Sequence, residues 1–279
     1  MIVFLNGQFV PEQQATVSVF DRSFLYGDGL FETLRVTKGK PFRWWEHMER
    51  LRKGGDFLGI KIPFACKSLE KLAVELIAKN QLPEALLRLT VSRGVGLRGY
   101  SPKGANQPMV VMTLHPFSGT SGATSAGWKL YTASFRLPAG EKLAHFKTAN
   151  KLAQIMARAE ADAAGADEAV LCNTEGFVVE GASSNLFWVE GDTICTPPLA
   201  SGILAGVTRA VTLELCQKLG LVSAERQITP QNLRRAQGVF VTLSSLGVVA
   251  AATLDGSPLS QSPSVEKLSV AYAELLASS

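Results

Sequence analysis

The sequence is poor in the residues that staple a fold or ligate a metal. Four cysteines and three histidines occur in 279 residues. Cys66, Cys172, Cys195 and Cys216 include no pair at short ligand spacing, and His47, His115 and His145 show none either. This argues against a disulfide framework and against a zinc site, and the cysteines read as reduced packing residues. Also missing is any apolar run approaching the roughly 20 residues a membrane helix needs. The chain opens on the strand-like Ile2-Val3-Phe4-Leu5 without a charged leader, so a cytoplasmic location is expected. Charge of one sign is lacking too: 28 basic against 24 acidic residues leave +4, dispersed along the chain. No nucleic-acid or membrane partner is implied, and the small excess suits a pocket for an anionic cofactor and a carboxylate substrate.

What is there describes a soluble globular protein: 46% hydrophobic and 19% charged residues. A chain this long is comfortable as two domains. Residues 116–127 are rich in Ser, Gly and Thr with almost no apolar content, which is linker chemistry. We therefore expect a small α/β domain over 1–117, a linker over 118–127 and a larger domain over 128–279. A hairpin over 2–10 turns at Asn6-Gly7. Residues 21–29 read as a loop, 30–36 as a strand and 44–58 as an amphipathic helix. Ser68 is placed to cap a helix whose Leu69, Leu72, Ala73, Leu76 and Ile77 share one face. Strands follow at 86–92 and 109–114. The second half mixes strands with helices over 149–164, 208–219 and 264–276, which makes the fold a mixed α+β one.

Two stretches carry the chemistry. Phe146-Lys147-Thr148-Ala149-Asn150 opens the helical run from 149. A lysine at a helix start is ordinarily a surface residue. Here His145, Phe146, Thr148 and Ala149 are not a solvated face, and a partly desolvated amine can attack a carbonyl. Val179-Glu180-Gly181-Ala182-Ser183-Ser184-Asn185 puts a carboxylate at the end of an apolar strand beside a turn of small residues. An amine that forms an imine and an acid that keeps a pyridine nitrogen protonated are the groups pyridoxal 5'-phosphate (PLP) needs most. Gly202 to Arg209 runs from a loop into a helix, whose first N–H groups and Thr208 hydroxyl form an anion site. Ser244-Ser245 could add hydroxyls, and Arg50 a charge-assisted contact. Gly94-Val95-Gly96-Leu97-Arg98-Gly99 matches a dinucleotide fingerprint, but loop residues follow where a helix must begin, so that reading is rejected. The loop, carrying Arg93, Arg98 and Tyr100, suits a substrate carboxylate better.

Six ordered segments give the chain its resemblance: Tyr26 to Arg35, His47 to Leu51, Lys147 to Asn150, Ala166 to Ala169, Glu180 to Phe187 and Gly206 to Arg209. Over almost its whole length it resembles the class IV aminotransferases, the fold type IV PLP enzymes. The resemblance implies a D-amino acid aminotransferase-like fold, with a small α/β domain and a larger β-barrel-like one. It makes Lys147 the lysine that holds the cofactor and Glu180 the pyridine partner. Arg50, Ser184, Asn185, Val207, Thr208 and Ser244 would complete the cofactor contacts. Phe31, Thr33, Arg35, Arg98, Tyr100 and Ser245 would meet an amino-acid-like substrate. It also implies a homodimer in which the loop around Arg98 to Tyr100 reaches into the partner's site. Arg93 to Tyr100 looks most like the loop of 4-amino-4-deoxychorismate lyases, which yield 4-aminobenzoate and pyruvate for folate synthesis. An aminotransferase of D- or branched-chain amino acids is the alternative.

Overall fold

The computed structural model describes residues 1–117 and 127–279. The expected linker, apart from Gly127, lies outside the described residues. Two compact units are present. One comprises residues 1–117 with Phe146–Lys151, and the other residues 127–145 with 152–278.

The first unit contains β1 (Ile2–Leu5), β2 (Gln8–Pro11), α1 (Arg22–Tyr26), β3 (Gly29–Thr37), β4 (Lys40–Pro41) and α2 (Trp44–Leu58). It continues with α3 (Cys66–Asn80), β5 (Ala85–Ser92) and β6 (Met109–Pro116). The strands form one antiparallel sheet in the order β2-β1-β6-β5-β3-β4. Alternation decides which face is dry: Ala85, Leu87, Leu89 and Val91 of β5 are buried against α2 and α3, and the residues between them face away. The predicted stripe Leu69, Ala73, Leu76 and Ile77 supplies the α3 side of that core. At about 2 kcal/mol for each large apolar side chain removed from water, this layer dominates the unit's stability. Ser68 does not cap α3. The helix begins three residues earlier than that cap implies, at Cys66 after Ala65, with no side-chain cap.

Two expectations over this region change. Residues 21–29 are not all loop: Asp21 caps the one-turn α1 by accepting from Ser23 and Phe24 N–H, and Gly27 closes it with φ 68°. Residues 146–151, expected in the second domain, instead pair through their backbone with β3. Phe31 N–H donates to Lys147 O at 2.9 Å, and Ala149 N–H donates to Gly29 O at 2.8 Å. Phe146 packs on the first core, its ring 4.6 Å from that of Phe57.

The second unit contains β7 (Trp128–Leu137), α4 (Leu152–Ala163), β8 (Glu168–Asn173), β9 (Val178–Gly181), β10 (Asn185–Glu190), β11 (Thr193–Thr196) and α5 (Val207–Lys218). It ends with β12 (Val222–Glu225), α6 (Pro230–Leu233), β13 (Gly238–Leu243), β14 (Gly247–Leu254), β15 (Ser257–Pro258) and α7 (Pro263–Ala277). The sheet runs β12-β11-β10-β13-β14-β7-β8-β9, and β9 pairs back onto β10. That last pairing closes six strands into a ring, the barrel-like unit expected. Helix α4 starts at Leu152, three residues later than the predicted 149, because 147–149 are taken up as extended backbone beside β3. No helix among the described residues is long and apolar enough to cross a membrane.

Candidate active site

In the first unit, the side chains of β3 alternate between two environments. Leu30, Glu32 and Leu34 face the helices, while Phe31, Thr33 and Arg35 face the other way. Register puts Arg88 of β5 opposite Thr33, on that second face. Lys147 joins them through its pairing beside Phe31. Its Nζ lies 4.8 Å from the Phe31 ring centroid, and Arg88 Cζ lies 3.9 Å from the same centroid. One aromatic ring thus carries two cations. Arg88 makes no hydrogen bond or ion pair among the described residues, and burial pulls its pKa below the ordinary arginine value. The sequence reading misses Arg88. Its signal is a charged residue inside the otherwise apolar alternation Leu86-Leu87-Arg88-Leu89.

On the helix face, Glu32 has no exposed surface and binds two residues of α2. Arg50 donates through Nε to Oε1 at 2.8 Å and through Nη2 to Oε2 at 2.5 Å. His47 Nδ1 donates to Oε2 at 2.7 Å. Arg50, expected at a phosphate, therefore has its guanidinium plane fixed by Glu32.

The loop after β5 separates its arginines by task. Arg93, expected to grip substrate, is instead a structural tie. Its Nε donates to Asp28 Oδ2 at 2.7 Å, and its Nη groups donate to Leu58 O and Gly59 O. Arg98 and Tyr100 are exposed, and Arg98 has no hydrogen-bond or ionic partner among the described residues. No helix follows the glycine run 94–99, in line with the rejected dinucleotide reading. Arg35, at the far end of β3, donates to Glu84 at 2.5 Å and stacks on Phe117 at 3.6 Å. These partners account for its position without a substrate.

In the second unit, Glu180 ends β9 and Asn185 begins β10, paired across the turn between them. Together they clamp one residue from both sides: Leu204 N–H donates to Glu180 Oε2 at 3.0 Å, and Asn185 Nδ2 donates to Leu204 O at 2.9 Å. Ser184 Oγ donates to the fully buried Glu168, which also accepts from the N–H and Oγ of Ser183. Ser184 and Asn185, expected as direct cofactor contacts, therefore use these groups to shape the turn and the 204–206 loop. That loop feeds α5, which starts at Val207 after Gly206 with no side-chain cap. A Cβ on Gly206 would sit 1.9 Å from Asn185 Oδ1, so the approach requires glycine. Val207 and Thr208 are buried in the first turn. Ser244 and Ser245 occupy the turn between β13 and β14, half-buried. Thr242, paired with Asn185, has a buried hydroxyl with no hydrogen-bond partner among the described residues. Arg209 is spent on Pro197 O and Glu225. Among the described residues no group of three or more His, Cys, Asp or Glu is placed to hold a metal ion.

This arrangement has close counterparts. A family model for amino-transferase class IV matches residues 29–254. A putative branched-chain-amino-acid aminotransferase of Methanocaldococcus jannaschii is 36% identical over 92% of this chain and 88% of its own length. An aminodeoxychorismate lyase of Vibrio harveyi is 34% identical, over 84% of this chain and 86% of that one. The crystal structure of a branched-chain aminotransferase from the thermophilic archaeon Thermoproteus uzoniensis, with norvaline, superimposes with a TM-score of 0.92 at 30% identity. That match covers 99% of this chain and 94% of the other. The chain belongs to the class IV aminotransferase family, whose enzymes work with pyridoxal 5'-phosphate.

Proposed function

We propose that this enzyme is an aminotransferase that passes an amino group between an amino acid and a 2-oxo acid bearing a second carboxylate. The observation that carries the reading is Arg88, a partly buried guanidinium with no anion of its own among the described residues, sharing the Phe31 ring with Lys147. Leaving such a cation unpaired is costly, and an incoming carboxylate offsets that cost.

The residues present suit the cofactor. An uncapped helix start at Val207 and Thr208, a glycine with no room for a Cβ, and the orphaned Thr242 hydroxyl are features a phosphate-bearing ligand would satisfy. Within the second unit, Ser244 would add to its phosphate contacts, and Glu180 would face the ring nitrogen. Bound PLP supplies an electron sink for the pair left when a proton leaves the substrate's α-carbon. Lys147 supplies the amine that removes and returns that proton. Phe31 confines the amine on one side. Arg88 holds the distal carboxylate, with Thr33 opposite it on the same sheet face. Arg98 and Tyr100 supply a second carboxylate contact from an exposed loop. A second copy of the chain is part of the proposal, because Val19, Phe20, Phe24 and Leu97 are large apolar side chains left in solvent.

The lyase reading stands second, favoured by the loop from Arg93 to Tyr100 and by the 34% relative. Holoenzyme supplied with 2-oxoglutarate and, in turn, L-leucine, L-valine or D-alanine separates the two. Glutamate should form with at least one donor, and Arg88→Gln should raise KM for 2-oxoglutarate about tenfold. No glutamate with any donor, alongside 4-aminobenzoate from aminodeoxychorismate, overturns the proposal in favour of the lyase.

A further inference from the structure

Arg22 is 3% exposed and spends its guanidinium on a segment distant in the chain. Nη1 donates to Gly99 O at 2.9 Å and to Ser101 O at 3.1 Å, and Nη2 donates to Tyr100 O at 3.0 Å. Nε donates to Asp28 Oδ2 at 2.8 Å, the same oxygen that takes Arg93 Nε. Three consecutive carbonyls and one carboxylate are thus gathered on one planar cation, a geometry that the fork of an arginine allows and a lysine ammonium does not. The backbone joins in: Arg22 N–H donates to Gly94 O at 2.9 Å, and Asp21 bridges to Val95. Gly96 closes on the arginine stem, where a Cβ would lie 2.9 Å from Arg22 Cδ. Tyr26, the last residue of α1, takes the Gly99 N–H on its hydroxyl at 3.2 Å and meets the Tyr100 ring edge-on at 5.6 Å.

Apart from the ion pair with Asp28, every one of these contacts falls on the segment that presents Arg98 and Tyr100. Neither of those side chains is anchored by an ion pair among the described residues, so their location is inherited from the backbone that Arg22 holds. We propose that Arg22 is a positioning residue that sets the specificity loop 94–101, and through it how tightly the enzyme holds a substrate carboxylate. This rests on the reading that Arg98 and Tyr100 meet the substrate. Asp28 is the hinge of the device. It accepts from Arg22 and Arg93 at once, so the start and the apex of the loop are tied to the turn between α1 and β3.

The test uses holoenzyme of the wild type, Arg22→Lys, Arg22→Gln and Arg98→Ala, and two readouts. The first is amide hydrogen exchange across 94–105. The second is calorimetric binding of glutarate, a dicarboxylate that cannot react. Both Arg22 variants should exchange faster in that segment while β3 and α2 keep their protection, and both should bind glutarate about tenfold more weakly. Arg22→Lys keeps the charge and most of the volume, so it answers the question even if Arg22→Gln does not fold. Wild-type exchange and wild-type affinity in Arg22→Lys overturn the proposal. Faster exchange with unchanged affinity also overturns it, since the loop would then be held without consequence for binding. Unchanged glutarate affinity in Arg98→Ala marks a different failure, that of the assumption that the loop meets substrate.

Discussion

Glu32 keeps its charge in a place where burial alone would neutralise it. Burial raises a carboxyl pKa, but the Arg50 charge, with hydrogen bonds from Arg50 and His47, outweighs it and holds Glu32 at about 2. Burial pushes His47 down as well, against the upward pull of Glu32, so a neutral imidazole donating from Nδ1 is the state at pH 7. Because the folded pKa of Glu32 is depressed, its contribution to stability is complete above its ordinary value of 4.5. The contribution is lost as pH falls from there towards about 2. That gap corresponds to about 3 kcal/mol. The depressed His47 acts with the same sign, losing stability as pH falls below its ordinary 6.5. Glu32→Gln strands the Arg50 cation, so it should cost about 3–5 kcal/mol at pH 7 and flatten the acid limb of the stability curve. Urea unfolding of both proteins at pH 7 and pH 4 measures this. An acid limb as steep in the variant as in the wild type would place the acid sensitivity elsewhere.

At the scale of elements, the start of α5 depends on a single missing side chain. Gly206 has φ −67° and ψ 135°, which alanine adopts freely, so Gly206→Ala adds no backbone strain. Its methyl would nonetheless collide with Asn185 Oδ1 and disturb the Asn185–Leu204 bond that sets the helix entry. The variant should fold, with circular dichroism unchanged, and lose at least about tenfold in PLP affinity in a cofactor titration. Wild-type affinity would show that the helix start does not receive the phosphate. The helices and strands themselves are largely legible in the sequence, since α2, α3 and the strands of both sheets follow apolar periodicity. The one-turn α1 escapes the sequence reading although Asp21 and Gly27 are proper start and stop signals, because five residues give no period to read. Lys147 is singled out by its sequence neighbours, but its setting is not legible there. It sits on an extended segment held by β3, from far earlier in the chain, and nothing local encodes that pairing. Similarly, which arginines are tied and which stand ready is a matter of tertiary partners. The sequence offers Arg93 and Arg35 as substrate contacts, and Asp28 and Glu84 claim them.

For the whole molecule, the compact units do not follow the order of the chain: residues 146–151 leave the second stretch to complete the sheet of the first. A linear boundary drawn from composition near residue 118 could not anticipate that return. The first unit also carries more apolar surface than it can hide. Phe20 is 64% exposed and Phe24 70%, and Val17, Val19 and Leu25 lie exposed beside them. Leu97, at 77%, belongs to the loop whose Val95 bridges Asp21, so the two exposed segments are neighbours. The surface is stiffly built, with α1 capped by Asp21 and the loop gathered on Arg22, so the apolar side chains are displayed rather than frayed. A soluble monomer rarely leaves such a patch open, whereas a two-fold contact buries it against its own copy. On that account light scattering should give twice the chain mass for the wild type, and Phe24→Glu, which adds a charge at a largely exposed position without touching either core, should give the chain mass with unaltered circular dichroism. The same variant separates assembly from chemistry. If Arg98 and Tyr100 serve the partner's substrate, the monomer should keep its cofactor yet lose affinity for glutarate about as much as Arg98→Ala does. A wild type that scatters as a single chain would remove both the dimer and that division of labour.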